Sequence, residues 1–449
     1  CALPIWPNPA DEHPQLGDSA QVLSDPASQS SNDGSNPRTK DSPSFSVVID
    51  RSWYAPAVRL WEPAPEITLA ALRRKQTRLY PVDEIEPPLR AVAVDGLYAS
   101  HPDYPLTRST VLTITAQQKN QCYRKLRQWA QQLPKPTEPP TIVWIGGVGD
   151  IMPGRGVDTM LMTREEGLTE VFGDTLPHLQ AFDLLLGNLE TAVTTRGERY
   201  DKSYTFRVHP NVLPFLKQAG FDYFSLCNNH CYDYGEVGFL DTLRSLDKAS
   251  IAVSGAGRTK DEAGNPYTVT INGERINVLC VGAYPQERNG FDGRTTAAAA
   301  DDRAGILWAG EDAYTAMKEH FGGSSFDIVM VHGGEEWSQR PSSYQKKLYK
   351  TFIDHGTDFV LGSHPHVLQG VEEYKKKLIA YSLGNFIFPG MDETLYGEET
   401  IILKIGLINR IITYIEYLPV AISGRRIALE TTGTFLPRFL ILTSELHRP

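Results

Sequence analysis

The sequence predicts a layered α/β protein, on two observations. From Thr141 onward, apolar runs of strand length alternate with stretches of helical periodicity. Several of those runs then end in Asp, Glu, Asn-His or His, as strands of such sheets do where they meet a ligand. The size suits this class. The chain has 449 residues, 41% hydrophobic and 22% charged, enough to bury a core and, at ~150 residues per domain, to suggest about three domains. No 18 consecutive residues are all apolar, so no transmembrane helix is predicted. With 44 Lys+Arg against 54 Asp+Glu, the formal charge of -10 argues against a nucleic-acid partner.

The elements follow in chain order. Residue 1 is Cys, the residue that processed bacterial lipoproteins carry at their new N-terminus; the alternative is a boundary that falls at Cys by coincidence. The lipoprotein reading predicts a lipidated Cys1 at a membrane surface and a flexible tether over 1–45. Its composition, rich in Ser, Pro, Asp, Asn and Gly from Leu16 to Ser46, cannot bury enough apolar area to offset ordering. Residues 46–133 read as a small α/β module of unknown role. Phe45–Ile49 and Ala91–Val94 are its strands. Gln117–Leu133 is an amphipathic helix with Cys122, Leu126, Trp129, Ala130 and Leu133 on one stripe. Residues 134–140 hold four prolines in seven positions, a semi-rigid linker. Cys122, Cys227, Cys231 and Cys280 are too few for a disulfide scaffold, and no second pair accompanies Cys227 and Cys231. They are expected as buried thiols.

In the main domain, 141–390, the predicted strands are Thr141–Ile145, Phe182–Leu186, Phe221–Leu226, Ile276–Val281, Phe326–Val331 and Phe359–Leu361. A helix over Val237–Ala249 places Val237, Leu240, Leu243 and Leu246 on one face. A second over Ser343–His355 groups Tyr344, Leu348 and Phe352, with Gly356 as its stop. Residues 391–449 read as a strand-rich extension packing on this domain.

Five of these strands lead into polar residues: Asp150; Asn188 and Glu190; Asn228, Asn229 and His230; His332; and His364 with His366. Singly, each has an ordinary explanation as a turn, cap or satisfied core residue. Together they are the oxygen and imidazole donors that suit Mn, Fe, Zn or Mg.

Their order resembles the calcineurin-like metallophosphoesterases. The words Gly149-Asp150-Ile151-Met152-Pro153-Gly154-Arg155, Asn188-Leu189-Glu190, Phe206-Arg207, Asn228-Asn229-His230, Asp233-Tyr234-Gly235 and Tyr381-Ser382-Leu383-Gly384-Asn385-Phe386 closely resemble the CapA family. These are bacterial poly-γ-glutamate capsule synthesis proteins, and the resemblance covers about Ile142 to Phe388. It implies a metallophosphatase-like β-sandwich flanked by helices, holding one or two divalent ions. Glu190 would bridge them, Asp150 and His366 would hold one, and Asn229, His332 and His364 the other. His230 would serve as general acid. Two departures stand out. Met152 replaces the His of Asp-x-His, weakening one site, with Arg155 near enough in sequence to replace a charge. The family's His-Trp-Gly-x-Glu-Tyr reads His332-Gly333-Gly334-Glu335-Glu336-Trp337, which keeps Glu336 and moves the aromatic.

Arg155, Arg207, His209 and Glu336 are the expected substrate contacts, for an anionic polymer or a phosphate-type substrate. The resemblance implies an extracytoplasmic, lipid-anchored protein in the synthesis, export or processing of poly-γ-glutamate or a similar polymer, within a capsule synthesis or export complex. Metal-assisted hydrolysis would be its reaction if it is an enzyme. A plain metal-dependent phosphoesterase and a non-catalytic scaffold of the export complex are the alternatives.

Overall fold

The computed structural model describes residues 44–63, 67–75, 78–115, 121–130, 132, 138–288 and 290–448. Cys1, nearly all of the expected tether and residues 134–137 of the expected linker lie outside them. The described chain forms two units.

In the smaller unit a long strand beginning at Ser44 pairs antiparallel with Thr107–Thr115, Val47 opposite Leu112 and Trp53 opposite Thr107, and its later part pairs with Leu79–Pro81. Trp53, Ala55, Leu72, Val82 and Ile85 are among its buried apolar residues. The helix spans Gln121–Ala130, and Trp129, expected on its apolar stripe, is 48% exposed while Ala130 is buried. The strand expected at Ala91–Val94 is instead Leu89–Ala91.

Among the described residues, the larger unit carries two large sheets and two small two-stranded ones. In the first, β1 (Val143–Ile151), β2 (Leu184–Leu189) and β3 (Tyr223–Ser225) run parallel. Helix α1 (Gly235–Lys248) follows β3. In the second, β4 (Glu274–Ala283), β5 (Ser325–Gly333), β6 (Phe359–Ser363) and β8 (Lys377–Leu383) are parallel neighbours, and β7 (Leu368–Tyr374) pairs antiparallel with β8. Helix α2 (Ser343–Asp354) joins β5 to β6. The mixed α/β architecture of several sheets and helices is the one the alternating pattern predicted. The inner strands are buried on both faces, as parallel strands covered on both sides must be, so they read as continuous apolar runs.

Most strands are longer than the apolar runs suggested. β1 passes through Gly146, Gly147 and Gly149 because close packing there needs residues without side chains. A Cβ on Gly149 would stand 1.9 Å from the Gly384 carbonyl oxygen, and one on Gly147 would meet Leu361 of the second sheet at 3.1 Å. Asp150 therefore lies inside the strand, its N–H donating to that same Gly384 oxygen at 3.0 Å.

Each helix keeps most of its expected face inward, Leu240, Leu243 and Leu246 in α1 and Leu348 and Phe352 in α2, but the first residue of each expected face is exposed. In α1, Phe239, Thr242 and Leu246 are buried and Val237 is 48% exposed; in α2, Gln345, Leu348, Tyr349 and Phe352 are buried and Tyr344 is 67% exposed. Counting apolar residues hid the reason. Thr242 Oγ1 accepts from the Val193 N–H at 2.8 Å, and Gln345 Nε2 donates to Gln369 at 3.0 Å, so polar side chains occupy inward positions. Gly356, at φ 103°, stands directly after the α2 cap, as expected.

After β8 the chain returns to the first sheet. β9 (Asn385–Ile387) pairs parallel with β1, and β10 (Glu399–Ile408) pairs with β1 antiparallel, Leu403 opposite Gly147. β11 (Ile411–Ser423) continues antiparallel to β10. The chain closes with a helix, α3 (Phe435–Leu446), whose Phe439 and Leu440 are buried against the core.

Candidate metal centre

Strand ends from both sheets converge. Asp150 lies near the end of β1, Glu190 one residue past β2, Asn229 and His230 in the turn after β3, His332 one residue before the end of β5, and His364 and His366 in the loop after β6. All seven are buried, Asp150, Glu190 and His332 completely. Asp150, Glu190 and His332 bring their ligand atoms within 4.8 Å of one another, a group that can hold a metal ion. His364 and His366 have φ of 100° and 58°, in the left-handed region that a residue with a Cβ occupies at a cost. That strain turns two imidazoles from one short loop into the same place.

The donors fall into two groups around one oxygen. His366 Nδ1 lies 3.2 Å from Asp150 Oδ2. His332 Nε2 lies 3.0 Å from Asn229 Oδ1 and 3.1 Å from His364 Nδ1. Glu190 Oε1 stands 3.7 Å from the Nε2 atoms of both His332 and His366. The structure thus places all six residues expected as ligands close to one another, with Asp150, Glu190 and His332 at the centre.

The electrostatics point to a missing positive charge. Burial, reinforced by Asp150 beside it, pushes the Glu190 carboxyl well above the usual range. Burial disfavours the His366 imidazolium, but Glu190 and Asp150 outweigh it and push this group up to about 9. Burial and the neighbouring imidazoles hold His332 and His364 well below the ordinary histidine value, in the neutral form that binds metals. Glu190 Oε1 and His364 Nε2 are buried without a hydrogen-bond partner among the described residues. A buried polar atom left so costs about 1–3 kcal/mol, which coordination would relieve. Two carboxylates, an amide oxygen and three imidazoles fit a divalent ion of the Mn, Fe or Zn type.

A second layer holds these donors. Asn188 Nδ2 donates to Asp150 Oδ1 at 2.8 Å, Ser363 Oγ is 2.9 Å from His332 Nδ1, and Asn385 Oδ1 is 2.9 Å from His366 Nδ1. His230 stands beside the donors, its Nε2 4.0 Å from Glu190 Oε1 and its Nδ1 2.7 Å from Asp233 Oδ2. Burial, only partly opposed by Asp233, lowers its pKa.

Met152, in the place of the absent histidine, is buried in an apolar cluster with Phe206 and Phe388 and offers no nitrogen. The Phe206 ring packs on His230 at 4.2 Å, and Phe388 meets His366 edge-on at 5.1 Å. On the other side of Met152 and Phe206 opens a cleft of about 240 Å³. Arg155, Arg199 and Arg207 line it with Ser203 and Thr205, and no acidic side chain does. The Arg155 guanidinium donates to the Pro389 carbonyl at 2.6 Å and lies over Phe206, so it belongs to this cleft and does not stand among the metal donors. Arg207 lies over the Tyr234 ring at 4.4 Å.

Two expected substrate contacts lie elsewhere. His209 is exposed and outside the cleft lining; its Nδ1 accepts from the Asn211 N–H at 3.1 Å and caps the turn at 210–212. Glu336 is exposed and acts on the centre through its charge, raising the Glu190 pKa. Its neighbour Trp337 lays its ring 5.2 Å from that of His366, so the displaced aromatic still reaches the site. Asn188, Asp233 and Asn385 stood in the quoted sequence words without a role of their own, and Arg199 and Lys202 were not singled out from the sequence. For Asp233 a signal existed in its three-residue spacing from His230; for Arg199 and Lys202, in a polar loop, there was none.

Comparison with known proteins accords with this geometry. The family described as bacterial capsule synthesis protein PGA_cap matches residues 145–390. The chain is 32% identical over 252 residues to the capsule biosynthesis protein CapA of Bacillus anthracis, covering 54% of this chain and 58% of that protein. It is 32% identical to the PGA biosynthesis protein CapA of Bacillus subtilis, covering 54% and 62%. It is 27% identical to a probable polyglutamine synthesis accessory protein of Mycobacterium tuberculosis, covering 64% and 87%. The chain thus spans less than two thirds of the two CapA relatives. Among solved structures, a novel phosphatase from Mycoplasma pneumoniae aligns with a TM-score of 0.40 at 14% identity, over 63% of this chain and 94% of that one.

Proposed function

Since the chain belongs to the bacterial capsule synthesis protein family PGA_cap, we propose that it is a metal-dependent hydrolase processing an anionic polymer of the poly-γ-glutamate type during capsule assembly. One observation carries this reading: a buried six-residue donor set around Glu190 Oε1 adjoins an arginine-lined cleft free of acidic side chains. In this reading Asp150, Glu190, Asn229, His332, His364 and His366 hold one or two divalent ions. Such ions supply electrophilic activation and a nucleophile from water near neutral pH. Arg155, Arg199 and Arg207 engage substrate carboxylates, each guanidinium able to take two oxygens at once. His230 Nε2 takes up the proton that the attacking water releases and gives it to the leaving amine as the amide C–N bond breaks and the water oxygen joins the acyl carbon. Asp233 keeps the imidazole turned for that transfer. The capsule and PGA biosynthesis names of the relatives support work alongside a polymer synthesis complex, and an extracytoplasmic setting belongs to the same proposal.

The test is a purified protein loaded with Mn or Zn and offered a γ-linked glutamate oligomer and a chromogenic phosphodiester. New amino termini from the oligomer are expected, lost together with bound metal in Glu190→Ala. Cleavage of the phosphodiester alone would replace this reading with a phosphoesterase. Metal-loaded protein that turns over neither would make it a scaffold.

A further inference from the structure

Lys202 has a fully buried side chain, although its sequence neighbours Asp201 and Ser203 are exposed. Lysine is almost never placed so unless its charge is paired. Its Nζ lies 2.6 Å from the Asn229 carbonyl oxygen, 2.9 Å from Asp233 Oδ1 and 2.8 Å from Glu287 Oε1. An ammonium has three N–H donors, and these three acceptors use them all. The Phe291 ring covers the charge at 4.3 Å.

Each partner leads to the centre. Asp233 Oδ2 meets His230 Nδ1 at 2.7 Å and accepts from the Phe206 N–H at 2.6 Å. Glu287 Oε1 accepts from Asn229 Nδ2 at 3.2 Å, which leaves Asn229 Oδ1 directed at His332 Nε2, 3.0 Å away. The amide could otherwise turn over and present its NH₂ to the ligand position, where a donor cannot bind a cation. Lys202 also sits in the stretch that supplies Arg199, Ser203, Thr205 and Arg207 to the cleft. One buried cation touches both carboxylates, and Asp233 has the His230 imidazole as a second partner.

We propose that Lys202, acting through Glu287 and Asp233, is a positioning residue that fixes the Asn229 amide oxygen toward the metal and the His230 imidazole toward the substrate, and pins the cleft-lining loop to both. The inference rests on the metal-centre reading above.

Titration calorimetry with Mn²⁺ alone tests it, on folded wild type, Lys202→Met, Glu287→Ala, Glu287→Gln and Asp233→Asn. Second-layer partners of metal ligands change affinity about 10–100-fold. Lys202→Met and Glu287→Ala are expected to lose that much, and Glu287→Gln to stay near wild type, because its amide oxygen still accepts from Asn229. Asp233→Asn should bind Mn²⁺ normally, since Asp233 touches His230 and no assigned ligand side chain. A role confined to stability would lower the melting temperature of every variant and leave the Mn²⁺ affinity of the folded protein unchanged. Folded Lys202→Met with wild-type affinity overturns the proposal. Should that variant fail to fold, equal affinities for Glu287→Ala and wild type overturn it equally, since Glu287 lies at the edge of the cluster with a 20% exposed side chain. Wild type that binds no Mn²⁺ would instead bring down the metal-centre reading and this inference with it.

Discussion

At the scale of single residues, the centre turns on protons as much as on metal. Without an ion, His366 is pushed up to about 9 and Glu190 is raised as well, yet both must be deprotonated to act as ligands. Metal binding at pH 7 should therefore release at least one proton. Apparent affinity should fall as pH drops below about 9, roughly tenfold per unit for each proton displaced. Calorimetry in buffers of different ionisation enthalpy would count those protons, and a pH-independent affinity between 6 and 8 would contradict the assignment. Met152 offers the complementary test. Its place in the apolar cluster with Phe206 and Phe388 leaves the Asp150–His366 group one nitrogen short, so one tight and one weak ion are expected in wild type. Met152→His should raise the tightly bound count, read by elemental analysis after dialysis. His230→Ala should keep its metal and lose about 10²–10⁴-fold in turnover, because it touches no ion in this arrangement.

At the scale of elements, β1 and α1 carry separable predictions. Gly149→Ala would drive a Cβ to 1.9 Å from the Gly384 oxygen, at the point where β1 delivers Asp150. Overpacking of this kind costs about 1–3 kcal/mol or more, and here it should also displace a ligand. Urea unfolding and Mn²⁺ affinity should worsen together. In α1 the buried face predicts that Phe239→Ala costs about 3–5 kcal/mol, while exposed Val237→Ser stays within about 0.5 kcal/mol. The reverse ranking would restore the face that the apolar spacing first suggested.

At the scale of the whole molecule, charge is distributed against its total. The chain carries -10 overall, yet Arg155, Arg199 and Arg207 share one cleft beside the centre. A polyanion approaching this protein is repelled by most of the surface and drawn to that spot. Affinity for a glutamate oligomer should therefore weaken steeply between about 50 and 500 mM salt, and Arg199→Ala with Arg207→Ala should flatten the dependence. Fluorescence anisotropy of a labelled oligomer would measure both.

The sequence by itself determined the chemistry at the strand ends. Asp150, Glu190, Asn229, His332, His364 and His366 are legible because parallel strands deliver their ends to one side of a sheet, so position along the chain already encodes position in space. It determined the alternation of strands and helices for the same reason, since burial on both faces enforces apolar runs. Only the tertiary structure decided what depends on partners far along the chain. β10 lies against β1, more than two hundred residues away, and nothing local in Glu399–Ile408 says which strand it will pair with. The faces of α1 and α2 depended on Thr242 and Gln345 finding hydrogen bonds at inward positions, which an apolar count passes over. Lys202 looked like any surface lysine in a polar loop. Burial became tolerable only when Asp233, Glu287 and the Asn229 carbonyl were folded around it, because the solvation a lone ammonium loses is returned by acceptors from two separate stretches of chain.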